Sequence, residues 1–291
     1  MTTSGDSVPD EAQAGPEILR FTAFSGDPAG GNPAGIVLDA AGLDDAEMLA
    51  VAAEVGYSET AFVTAAEGRT LDVRYFSPKA EVPFCGHATV ATAVAVAERE
   101  GPGDLLFRTA AGEVPVTVAA GPGGTLRATL TSVAPHVEQV AAESVEEALA
   151  ALRWPAADLD PAFPPRIAYA GARHLVLAAA TRARLADLDY DFERLAAFMT
   201  SLDLTTLQLV WRASATVYHV RDPFPVGGVV EDPATGAAAL AFGAYLRELG
   251  PVPARLTLHQ GTDLGRPAVL TVELRPGDPR VRVSGEAVPI R

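Results

Sequence analysis

Apolar and polar positions alternate in short runs along the chain, separated by Gly- and Pro-rich turns, with two longer apolar stretches set among them. Ile18 to Phe24 and Ala34 to Leu38 read as strands on either side of the loop Gly26 to Gly31. Asp44, with Glu47 three residues on, forms a capping box. It opens a helix whose apolar face is Met48, Val51, Ala52 and Val55 and whose end is Gly56. Glu59 to Val63 and Thr70 to Phe76 follow as strands. Cys85-Gly86-His87-Ala88-Thr89 then leads into a helix over Val90 to Glu98 that is apolar nearly all round, the pattern of a buried helix. Val114 to Val118 and Leu126 to Thr131 read as strands joined by the turn Gly121 to Gly124.

The pattern then recurs. Leu175 to Ala178 stands where Ile36 to Asp39 stood, the helix Phe192 to Phe198 where Met48 to Val55 stood, and the strand Leu207 to Trp211 where Thr60 to Thr64 stood. Arg221 follows Arg74 by 147 positions, and Thr235 follows Thr89 by 146. This register reads Gly86-His87-Ala88-Thr89 and Asp232-Pro233-Ala234-Thr235 as two matching helix-entry turns. The second leads into another helix, Ala237 to Leu249, that is apolar nearly all round. So long a period excludes a solenoid and implies two similar domains. The expected division is a disordered tail at 1–16, a first domain at 17–132, a crossing segment at 133–165 and a second domain at 166–291, with the last strand free to return to the first domain. Several strands around one apolar helix in each half make the fold class α+β, each sheet curling about its helix.

Composition narrows the function classes. Of 291 residues, 48% are hydrophobic and 20% charged, as in globular domains, and a net charge of −15 argues against a nucleic-acid partner. Cys85 is the single cysteine, which excludes an internal disulfide and a Cys-rich zinc site and suits a reducing, cytoplasmic setting. No membrane span or signal-peptide pattern is present. The five histidines lack metal-ligand spacing, and no phosphate loop or dinucleotide fingerprint occurs. No cofactor and no metal are therefore expected.

The chemistry concentrates at the two turns. Helix N-termini carry unpaired N–H groups and partial positive charge, so two of them facing one cleft would hold a carboxylate without Lys or Arg. His87 and Asp232 stand at their mouths and can orient a ligand or move a proton, although each taken alone is more often a structural cap. The halves differ at Glu59, whose counterpart 147 positions on is Thr206, a residue with no acid–base chemistry near neutral pH. Cys85 reads either as a base activated by a helix N-terminus or as a small buried side chain. With no second thiol in the chain, the latter is favoured.

Six short motifs together resemble the phenazine-biosynthesis PhzF-like family, which shares the diaminopimelate epimerase fold. They are Gly31-Asn32-Pro33-Ala34, Ser58-Glu59-Thr60-Ala61-Phe62-Val63, Phe84-Cys85-Gly86-His87-Ala88-Thr89, Glu231-Asp232-Pro233-Ala234-Thr235-Gly236, Gln260-Gly261 and Gly265-Arg266-Pro267. The resemblance spans about Arg20 to Ile290. It implies two pseudo-symmetric domains, each a barrel-like, mostly antiparallel sheet around a central helix, with the active site between them. It also implies a cofactor-independent isomerase in secondary-metabolite biosynthesis, acting on a small carboxylated metabolite such as a cyclic, anthranilate-like one. A member of the family isomerises trans-2,3-dihydro-3-hydroxyanthranilate, a single Glu removing a proton and returning it to another carbon. Glu59 matches that residue. His87 and Asp232 match its catalytic partners, and Ser58, Gly86, Thr235, Gly236 and Ala237 match the substrate-binding positions. The phenazine enzymes carry Ser where this chain has Ala237, so one hydrogen bond to their ligand has no equivalent here. The resemblance hints at a homodimer. Two other readings stay open: a racemase or epimerase with two opposed bases such as Cys85 and Asp232, and a non-catalytic small-molecule binding protein.

Overall fold

A computed structural model of the chain describes residues 15–291, so all but the last two positions of the expected tail lie outside the described residues. The first half runs β1 (Leu19–Ala23), β2 (Asn32–Val37), α1 (Asp45–Val55), β3 (Thr60–Glu67), β4 (Thr70–Phe76), β5 (Glu81–Val82), α2 (Gly86–Glu100), β6 (Gly103–Thr109), β7 (Gly112–Ala120) and β8 (Leu126–Thr131). The crossing segment forms β9 (His136–Gln139) and α3 (Ala142–Leu152). The second half begins with β10 (Arg166–Tyr169), β11 (Arg173–Ala178), α4 (Arg182–Ala186), α5 (Phe192–Ser201) and β12 (Thr206–Arg212). It continues with β13 (Val217–Pro223), β14 (Glu231–Asp232), α6 (Gly236–Leu249), β15 (Arg255–Gln260), β16 (Ala268–Leu274) and β17 (Val281–Pro289).

Strands β1, β2, β3, β4, β6, β7, β8 and β17 hydrogen-bond in that order, and β17 returns to β1, closing a ring. Inside it lies α2, on which every residue from His87 to Ala97 is buried. A helix with no polar face has nowhere else to go. The second half repeats the plan with β9, β10, β11, β12, β13, β15, β16 and β17 around α6. The parallel pairs recur in place, β2 beside β3 and β4 beside β6 in one half, β11 beside β12 and β13 beside β15 in the other. The protein is thus an α+β fold of two pseudo-symmetric halves, each a mostly antiparallel sheet curled around a central helix.

Each half sends a strand into the other. After β8 the chain passes to β9, which pairs with β10. Val281 to Ser284 of β17 pair with β16, Arg282 to Glu286 pair with β8, and Ala287 to Pro289 pair with β1. The capping box at Asp44 forms, and Gly56 closes α1 in the left-handed region at φ 70°.

The pairing corrects the register between the halves. Arg74 pairs with Phe62 and Arg221 with Leu209, so an offset of 147 holds from β3 and β12 through β4 and β13. It makes Glu59 and Thr206 equivalent. Beyond those strands the offset grows to 150, because Tyr75 pairs with Val82 and Asp222 with Asp232. Four residues join β4 to β5 but seven join β13 to β14, the added length forming a helical turn at Pro225–Gly227. The true counterpart of Gly86 is therefore Gly236, where both helices begin, and that of Cys85 is Thr235. His87 corresponds to Ala237, and Asp232 to Val82. Before the helices, Gly35 and Leu175 are equivalent, one position away from the sequence reading.

Candidate active site

Helices α2 and α6 meet head to head. A Cβ added to Gly86 would lie 3.8 Å from both Gly236 Cα and Ala237 N, so the two N-termini abut. They form one wall of a cavity of about 490 Å³ between the halves, which Glu59, Cys85, His87, Asp232, Thr206 and Phe224 also line. Two positive helix ends at one cavity wall favour a bound carboxylate.

Glu59 precedes β3, its side chain 13% exposed. Its Oε2 lies 3.4 Å from His87 Nε2 and 3.5 Å from Cys85 Sγ. Ser58 Oγ is also 3.4 Å from His87 Nε2. Burial, and secondarily the Glu59 charge, push the Cys85 thiol well above its ordinary value. Burial thus favours the protonated thiol, which donates to Glu59.

Asp232 is buried at the end of β14 and comes from the other half. Its Oδ2 accepts from Thr235 Oγ1 at 2.6 Å, and its Oδ1 accepts from Asn32 Nδ2 at 2.7 Å. Thr235, not Asp232, occupies the N-cap position of α6, so the bland role of a helix cap does not apply to Asp232. Burial raises its carboxyl to about 6, partly offset by His87. Gln260 braces this turn from behind, donating to Asp232 O at 2.9 Å and accepting from Thr235 N at 2.9 Å. Gly261 turns the chain there at φ 70°, where a Cβ would lie 2.3 Å from Arg266 O.

All eight residues singled out from the sequence surround this one cleft. Glu59, Gly86, His87, Asp232, Thr235, Gly236 and Ala237 line it, and Ser58 touches His87. Two others were not foreseen. Arg173, at the start of β11, is the one Lys or Arg lining the cavity, and it holds Glu138 at 2.8 Å. Asn32 joins His87 to Asp232. Its only sequence signal was its place in the Gly31-Asn32-Pro33-Ala34 motif.

Glu59, Cys85 and His87 offer donor atoms all within 4.8 Å of one another, spacing that a cation could use. His87 is also engaged by its neighbours, Nδ1 lying 3.1 Å from Asn32 Nδ2 and Nε2 3.4 Å from Glu59 Oε2.

The cleft thus gathers titratable side chains and two helix N-termini in one place. A sequence model of the phenazine biosynthesis-like protein family, PhzC/PhzF, matches residues 21–291, and the chain belongs to that family. It is 33% identical to an uncharacterized isomerase, YddE, of Salmonella typhimurium, over 94% of this chain and 96% of that one. It is 30% identical to the trans-2,3-dihydro-3-hydroxyanthranilate isomerase of Pseudomonas chlororaphis, over 91% and 94% of the two chains. The crystal structure of a PhzF-family phenazine biosynthesis protein from Bacillus anthracis superposes with a TM-score of 0.83 at 26% identity, covering 94% and 96%. The protein is an isomerase of this family. No helix among the described residues is long and apolar enough to cross a membrane.

Proposed function

We propose that the cleft shifts a proton between two carbons of a small, carboxylated, cyclic metabolite, using side chains alone. The carboxylate sits against the N-terminal N–H groups of α2 and α6. Glu59 takes the proton from one carbon and returns it to the next, a general acid–base role worth about 10²- to 10⁴-fold in rate. His87 and Asp232 face the substrate from opposite halves and orient it. The observation that carries this reading is the asymmetry at one register position. Glu59 and Thr206 both line the cavity, but Glu59 offers it a carboxylate, whereas Thr206 offers only a hydroxyl already bonded to Asp222 at 3.0 Å and His174 at 2.8 Å. In this reading Glu59 acts in both steps, and Asp232 orients the substrate.

An anthranilate-like substrate fits the name of the Pseudomonas chlororaphis relative and the aromatic edge of Phe84 and Phe224 along the cavity. Ala237 has no hydroxyl to offer it, which points to a substrate differing at the carboxylate-proximal end. The two-base alternative loses support at Cys85, a protonated thiol whose counterpart is Thr235.

The test is proton transfer in D₂O, followed by NMR on trans-2,3-dihydro-3-hydroxyanthranilate and related cyclic amino acids. Glu59→Gln should abolish isomerisation and solvent exchange of whichever compound the wild type turns over. Retention of wild-type turnover in Glu59→Gln, with loss in Cys85→Ala, would replace the single-base mechanism by the two-base one.

A further inference from the structure

We propose that Asn32 is a positioning residue that sets which nitrogen of His87 carries the proton and locks that imidazole to Asp232 of the opposite half. Asn32 begins β2 and is 1% exposed. Its Nδ2 lies 2.7 Å from Asp232 Oδ1, 3.1 Å from Ala234 O and 3.1 Å from His87 Nδ1. Two of these neighbours are oxygens. A flipped amide would set its oxygen against the Ala234 carbonyl, so the NH₂ end must face the group. The amide has two hydrogens for these three neighbours, one for Asp232 Oδ1 and one shared between Ala234 O and His87 Nδ1, while Cys85 Sγ lies 3.3 Å from the same nitrogen. An N–H on Nδ1 would point at the amide hydrogens, so the contact favours Nδ1 as the acceptor. A neutral imidazole accepting at Nδ1 carries its proton on Nε2. That nitrogen faces Glu59 Oε2 and Ser58 Oγ, each at 3.4 Å. His87 is thereby presented to the cavity as a proton donor beside the carboxylate.

The loop that carries Asn32 is built to hold it still. Gly31 sits at φ 60°, and a Cβ there would fall 2.2 Å from Ala23 O, so only glycine fits. Arg266 donates to Gly31 O at 2.9 Å and to Gly30 O at 2.7 Å, and Thr22 Oγ1 donates to Gly30 O at 2.6 Å. Gly31 N donates to Pro267 O at 3.0 Å. Arg266 and Pro267 belong to the second half, so the amide is clamped by the half whose Asp232 it holds. The separate motifs around Asn32, Gln260 and Arg266 thus form one brace behind His87 and Asp232.

The inference rests on the proposed site only in placing His87 there, and its test needs no substrate. Long-range ¹H–¹⁵N correlation spectra of the labelled full chain, in alkaline buffer where imidazoles are neutral, report the tautomer. His87→Gln identifies the resonances by their loss. The wild type should show a protonated Nε2 and a bare Nδ1. Asn32→Leu, similar in volume and without hydrogen-bonding atoms, removes the donor beside Nδ1 and should let the proton distribute between the two nitrogens. Where a substrate is in hand, that variant should lose about 10²-fold or more in kcat with KM little changed. A wild-type His87 protonated at Nδ1, or a tautomer unchanged in Asn32→Leu, would overturn the proposal. Either spectrum leaves the role of Glu59 untouched, and an active Glu59→Gln would leave the tautomer untouched, so the two readings fail separately.

Discussion

The two halves of this protein place different residues at equivalent positions, and the difference separates chemistry from scaffold. Glu59 corresponds to Thr206, Tyr75 to Asp222, Cys85 to Thr235 and His87 to Ala237. In the first half the titratable groups Glu59 and His87 reach the cavity, while Tyr75 bonds to Thr89 of α2 at 2.6 Å. In the second half the same register holds the buried chain His174–Thr206–Asp222, turned on itself. Burial drives Asp222 well above its ordinary value and His174 down to about 3, favouring the neutral form of each. Duplication supplied two helix ends and one cleft. Only one half kept a carboxylate free at the strand entry, and the other contributes Asp232 from the strand β14.

The largest effect that would break this comparison is kinetic. Glu59→Gln should lower turnover by about 10²- to 10⁴-fold. Thr206→Val should leave turnover within a few-fold while lowering the urea midpoint, because it strands the buried Asp222 and His174 groups. Equal losses of turnover in the two variants would show that both halves carry chemistry.

A pair of ion pairs gives a second contrast at one register. Arg74 holds Glu81 and reaches α1 through Asp45, while Arg221 holds Glu231 and reaches the end of α4 through Ala186 O. The Arg74 and Glu81 side chains are 31% and 37% exposed, those of Arg221 and Glu231 only 10% and 1%. Arg221→Met leaves a buried, unpaired carboxylate and should cost roughly 3–5 kcal/mol. Arg74→Met should cost about 0–1 kcal/mol. Urea unfolding of the two variants measures both, and similar losses would mean that burial does not govern the pair.

Much of this was legible in the sequence. The buried helices follow from runs such as Val90 to Val96, apolar on every side, and the capping box at Asp44 and Glu47 was local. The register of the second turn was not. His-Ala-Thr resembles Pro-Ala-Thr closely enough to hide a three-residue lengthening that only strand pairing reveals. The cluster of His174, Thr206 and Asp222 was equally hidden, because residues 32 and 16 positions apart meet only when β11, β12 and β13 align. Asn32 is 200 positions from Asp232, and no local pattern encodes a contact across the halves.

The neutral histidine of the second half has a pH signature. His174 titrates near 6.5 when unfolded and near 3 when folded, so the unfolded chain binds the extra proton as pH falls. Stability from this group is complete above 6.5 and lost on acidification, by about 2 kcal/mol between pH 6.5 and 5. Asp232 acts oppositely. Its carboxyl, raised from 3.8 to about 6, favours the folded state as pH falls below 6. His174→Gln should remove the first contribution and leave the second. Urea midpoints across this range should then flatten or rise on acidification, where an unchanged slope would mean that His174 is solvated.

The smallest expected effect tests the position where the halves are nearest in chemistry. Cys85→Thr gives the first half the residue that the second half carries at Thr235. The thiol is buried and held protonated, and its contribution is a weak S–H bond to Glu59 at 3.5 Å, which a hydroxyl can replace. Turnover should change by no more than a few-fold, and the loss in Glu59→Gln should persist when both substitutions are combined. A fall of about 10²-fold or more in Cys85→Thr alone, of the size general acid–base catalysis supplies, would make the thiol a base. The free carboxylate of the first half would then be its partner rather than the sole carrier of the proton.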